Sequence, residues 1–109
     1  FRLITSASTN AQVVKDSPGN LYSINVTGLT PIIRFLKLYN KSTVPVVDVD
    51  IPVITIPIPS NSTGSNVTIS FAIGIDFSLG IGIAITSGLA DTDTGAVSEN
   101  DAVVNLTYA

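Results

Sequence analysis

Phe71 to Thr86 reads FAIGIDFSLGIGIAIT, and its side chains sort by parity. Ile73, Ile75, Phe77, Leu79, Ile81, Ile83 and Ile85 fall on one face of an extended chain. Ala72, Gly74, Asp76, Ser78, Gly80, Gly82 and Ala84 fall on the other. Helical spacing would scatter the same residues around a cylinder, so the stretch predicts one long strand, or two strands broken near Asp76 to Ser78. Its glycines leave room for a backbone or a second chain to approach closely. Ile73, Ile75, Phe77, Gly80 and Gly82 are therefore the candidate subunit-interface residues, the glycine and isoleucine faces supplying core on one side and tight subunit packing on the other.

Working outward, the rest of the chain alternates in the same way between turn signals. Arg2 to Ala7 is a short extended segment, and Gln12 to Lys15 and Leu21 to Val26 flank Asp16-Ser17-Pro18-Gly19-Asn20. Proline followed by glycine suits a type II turn, which predicts a hairpin there. Pro31 opens Ile32 to Tyr39, apolar on both faces and so a central strand, before Asn40-Lys41-Ser42-Thr43 turns the chain. Pro45, Pro52, Pro57 and Pro59 punctuate Val44 to Pro59, which predicts edge strands and extended loops, because proline donates nothing to a ladder. Val67 to Phe71 resumes the alternation after a polar turn. Gly88 to Asp101 is a long polar connection, and Ala102 to Tyr108 is the last strand. The sum is an all-β chain, an antiparallel β-sandwich or jelly roll of seven to nine short strands in a single domain spanning 1–109. The expected core is Ile33, Phe35, Leu36, Val53, Ile54, Ile69, Phe71, Ile81, Ile83, Val103 and Leu106.

A chain of 109 residues buries roughly 65% of its unfolded surface, enough for a core without covalent staples. Hydrophobic residues make up 45% and charged residues only 12%, against about 25% charged in ordinary domains. Mean hydropathy is +0.50. So little charge predicts a surface of Ser, Thr and Asn together with apolar area hidden against further copies or a partner. The net charge of −3 includes five scattered basic residues and no basic run, which argues against nucleic acid as a partner. Asp76, Ser78 and the glycines interrupt the longest apolar run, so no membrane span is expected. No signal peptide is visible. Cysteine is absent, and so is methionine even at position 1, which suggests a processed product or a portion of a longer chain.

With no histidine or cysteine, the usual general base, thiol nucleophile and soft metal ligands are missing. Paired carboxylates for glycoside hydrolysis are conceivable, but Glu99 is the only glutamate and the aspartates sit beside turn residues. No catalytic residue is assigned. Asp91-Thr92-Asp93-Thr94-Gly95 resembles the opening of a calcium loop, yet the twelfth position is Ala102, not glutamate. A site completed by Glu99 or Asp101 competes with plain Asx turns, so neither metal nor cofactor is assigned. Five sequons, at Asn25, Asn40, Asn61, Asn66 and Asn105, would suggest glycan shielding in a secreted eukaryotic protein, but three lie in or beside predicted strands and a chain rich in Asn and Thr produces sequons by chance, which is the preferred reading. The tyrosines and phenylalanines are scattered singly, as packing residues are.

Several stretches carry a resemblance. They are Ser8-Thr9-Asn10-Ala11-Gln12-Val13-Val14-Lys15, Pro18-Gly19-Asn20-Leu21-Tyr22 and Arg34-Phe35-Leu36-Lys37-Leu38-Tyr39-Asn40-Lys41, then Gly80-Ile81, Ala84-Ile85-Thr86 and Ala90-Asp91-Thr92-Asp93. In these the chain resembles small virion accessory proteins of tailed bacteriophages. The resemblance implies a β-sandwich on the outer surface of the capsid, decorating or cementing it. It also implies contact with the major capsid protein and with copies of itself, often as a homotrimer. Related sandwiches serve in tails or fibres. The rivals are a carbohydrate-binding sandwich, marked by an aromatic-lined groove, and a small hydrolase, marked by two converging carboxylates.

Overall fold

In the computed structural model, which describes all residues 1–109, the parity of the opening stretch is resolved into two strands in two different sheets. The strands are β1 (Arg2–Ile4), β2 (Gln12–Lys15), β3 (Gly19–Gly28), β4 (Arg34–Asn40), β5 (Ile54–Ile58), β6 (Ser65–Phe77), β7 (Ile81–Thr86) and β8 (Ala102–Tyr108), with no helix. One sheet runs β1-β8-β3-β6 and the second β2-β7-β4-β5. Every pairing is antiparallel, and β1·β8, β2·β7, β3·β6 and β4·β5 nest inside one another like a single long hairpin. That ribbon is rolled up and sealed by β3·β8 and β4·β7, which is a jelly roll.

The core lies between the sheets and draws on alternate residues of each strand. Leu21, Ile24 and Val26 come from β3, Leu36 and Leu38 from β4, Ile56 and Ile58 from β5, Ile81, Ile83 and Ile85 from β7, and Val104 and Leu106 from β8. The break in the opening stretch falls at Ser78 to Gly80, where the chain crosses from one sheet to the other. β4 is central as expected, and proline-bearing β5 is an edge strand.

Several expectations are corrected. The Asp16–Asn20 turn makes no hairpin: β2 pairs with β7 and β3 with β6 and β8, so the turn carries the chain between sheets. Gly19 is not in the positive-φ region; it is needed because a Cβ there would sit 2.5 Å from the backbone oxygen of Ala109. Ile33 and Val53 are exposed, because each precedes its strand in a loop outside the sandwich. Val103 is only half-buried, since β8 turns Val104 and Leu106 inward. Phe35 is half-buried on the outer face of β4, whereas Ile54, Ile69 and Phe71 pack on the core but are incompletely covered, because β5 and β6 are edges.

Candidate functional site

β7 is buried on both faces, which an exposed outer sheet face would not allow. Its outer residues Gly82, Ala84 and Thr86, with Lys37 and Tyr39 of β4, lie beneath two connections, residues 41–53 and 87–101. Small residues on β7 admit them: a Cβ on Gly82 would meet Pro45 Cγ at 2.6 Å. Val47 packs on Tyr39 and Ala84, and Lys37 Nζ donates to Ala90 O at 2.6 Å. Burial lowers the Lys37 pKa, opposed by the charges of Asp93 and Asp91. Burial also pushes the Tyr39 phenol up to about 12, with Asp50 and Asp91 acting in the same direction, and its hydroxyl has no hydrogen-bond partner. Lys41 Nζ sits 2.5 Å from Asp50 Oδ2, which also accepts the Val46 N–H at 2.7 Å. Those two hydrogen bonds hold the Asp50 carboxyl below its ordinary range.

The acids of the would-be calcium loop serve the fold. Asp93 Oδ1 accepts the N–H groups of Gly88 and Gly95, an Asx turn closing the connection on itself. Asp101 is bound to Arg34 and to the Ser98 N–H. Glu99 and Asp91 are exposed, and no three acids converge as a metal cage would require.

Of the five candidate interface residues, Phe77, Gly80 and Gly82 are covered by the chain itself. A Cβ on Gly80 would lie 2.8 Å from the Ser42 Cα, so its close approach is to a loop of the same molecule. Ile75 is half-buried, and Ile73 is 92% exposed. Ile73 escapes the core because β6 bulges: Ser23 pairs with Ser70 and Leu21 with Ile75, leaving Phe71 to Gly74 opposite Tyr22 alone, with Gly74 at φ 80°.

Sequence reasoning missed the larger apolar surface. Val44, Val46, Val49, Ile51 and Val53 are all exposed on the β4–β5 connection, Ile51 at 75%. The signal was present in the alternation of Val44-Pro45-Val46-Val47, in which Pro45 and Val47 anchor the loop while its other aliphatic residues face water.

The outer face of the β1-β8-β3-β6 sheet has the opposite character. Ser23 bonds Thr107 at 2.6 Å, Asn25 Nδ2 donates to Thr68 Oγ1 at 2.9 Å, and Asn66 Nδ2 donates to Thr27 Oγ1 at 2.8 Å. The sequon asparagines Asn25 and Asn66 thus belong to a polar side-chain ladder across three strands, while Asn40 holds the β6–β7 connection through Ser78 and Leu79 and Asn61 accepts the Thr63 N–H within its own turn. Tyr22 and Tyr108 are exposed, but the one open depression, lined by Val13, Val14, Lys15, Asp16, Ser17 and Tyr108, holds a single aromatic residue.

No protein-family model matches the chain, and no curated protein and no solved structure matches it either.

Proposed function

We propose that the chain is a non-enzymatic structural protein of a tailed-phage virion, which associates with itself and attaches to the outer surface of the capsid by apolar contact with the major capsid protein. The observation that carries this reading is the β4–β5 connection. Five aliphatic side chains held in water on one loop, which is itself pinned by Pro45, Val47 and the Lys41–Asp50 pair, form a surface whose burial is favourable. The two-sided character of the molecule supports it further: a polar ladder of Asn, Ser and Thr on one sheet suits the side left in solvent, and the apolar loop lies over the other. The jelly roll adds weak support, because the same fold serves capsid proteins, lectins and cupins alike. A subunit of the tail or fibre would use the same apolar contact at another place on the particle.

The test mixes the purified chain with capsid shells assembled without it and sediments the shells. Saturable co-sedimentation supports attachment to the capsid. Failure to bind shells together with binding to isolated tails would move the protein to the tail, and binding to neither, with retention on a glycan array, would favour the carbohydrate-binding rival.

A further inference from the structure

Sheet edges expose unpaired N–H and C=O groups and invite another strand unless something blunts them. Three of the four edges here are blunted. β1 has only three residues, β2 has four with an irregular register, and β5 carries Pro57. β6 differs: it is 13 residues long, bonded to β3 alone, free of proline, and without a charged residue from Ser65 to Ile75. Its regular part, Ser65 to Ser70, precedes the bulge. Val67 and Ile69 there pack on the core but stay half-buried, so apolar area is open beside the unpaired backbone.

We infer that β6 is a homotypic edge, pairing antiparallel with β6 of a second copy about a two-fold axis at Val67 and joining two sheets into one of eight strands. The occupant is argued from charge and from side-chain matching. The uncharged stretch Ser65 to Ile75 meets no repulsion from its own copy, and the two Asp76 carboxylates fall at opposite ends of the pairing. Around Val67 an even register keeps like faces together and sets Asn66 opposite the partner's Thr68. The chain already makes that pairing twice, Asn25 with Thr68 and Thr27 with Asn66, each with a side-chain hydrogen bond. On the inner face the two Val67 side chains meet, closing the open side of each core. The isologous contact closes on itself, so it gives a dimer and not a fibre.

This inference rests on the self-association proposed above, and the absence of cysteine makes it directly testable. Val67→Cys places two thiols across the axis at the short distance of a directly opposed strand pair. Mild oxidation is expected to convert most of that variant to a covalent dimer, while Asn105→Cys, on interior strand β8, stays uncrosslinked. In the otherwise unaltered chain, Thr68→Lys is expected to abolish the dimer seen by sedimentation at micromolar concentration. A trimer or larger assembly without the Val67→Cys cross-link would overturn β6 pairing and leave self-association standing. A monomer at every concentration would overturn both.

Discussion

Arg34 Nε lies 2.8 Å from Asp101 Oδ2, with each side chain only 10% exposed, so the first residue of β4 in one sheet is locked to the residue preceding β8 in the other. Around this pair Thr5 Oγ1 accepts the N–H groups of Asp101 and Ala102 and donates to Ser98 O, drawing three connections at one end of the roll into a single network. Asp101→Ala leaves the guanidinium buried without its counter-charge. The expected loss is about 3–5 kcal/mol in urea unfolding. The double variant Arg34→Met, Asp101→Leu is expected to recover most of it, because it removes both charges.

Tyr39 sets an alkaline limit. Its folded pKa, about 12, lies above the ordinary value near 10 because burial disfavours the phenolate, so the stability tied to the neutral phenol is complete below pH ~10 and is lost as pH rises toward about 12. Lys37 acts in the opposite sense: with its folded value lowered, rising pH relieves the cost of its buried charge. Tyr39→Phe removes a buried hydroxyl that has no partner. It is expected to hold or raise stability at pH 7 by about 1 kcal/mol and to flatten the loss between pH 10 and 12, read by thermal melts across that range.

Gly82→Ala tests the covering of the second sheet. The added methyl meets Pro45 and forces the 41–53 connection outward. A cost of about 1–3 kcal/mol is expected. Adding Pro45→Ala is expected to return part of it, a coupling that a double-mutant cycle measures.

How far the sequence revealed the molecule depended on whether a strand's signal was local. The last strand, Ala102 to Tyr108, was legible to the residue because its alternation and flanking polar turns lie within it. The pairing of β2 was not: Gln12 finds Ile83 across some seventy residues, and a Pro-Gly turn looks the same whether it folds a hairpin or crosses between sheets. Phe71 to Thr86 showed the period correctly and the faces only in part, because one bulge at Phe71 to Gly74 turns Ile73 out of phase. The glycine face of β7 signals a place of close approach, and it is one, but what approaches Gly82 is Pro45 of the same chain. Whether a partner or a loop covers a small-residue face is a question of where the long connections fall, which periodicity does not encode.

Attachment through the β4–β5 connection predicts a separation of function from stability. Val49→Ser with Ile51→Ser alters side chains that are already exposed, so each is expected to change unfolding free energy by no more than about 0.5 kcal/mol. The same pair is expected to weaken binding to empty shells at least tenfold, the loss of about 1.4 kcal/mol in contact energy, as read by co-sedimentation. A double variant that binds undiminished would remove this loop from the contact.

The most direct measurement of the proposed role is a difference map between particles made with and without the protein. Proposed attachment to the capsid exterior predicts extra density of jelly-roll size, about 35 × 30 × 19 Å, at repeated positions on the outer shell, with the β4–β5 connection turned toward the major capsid protein. Identical shells in the two maps, or the extra density confined to the tail, would contradict it.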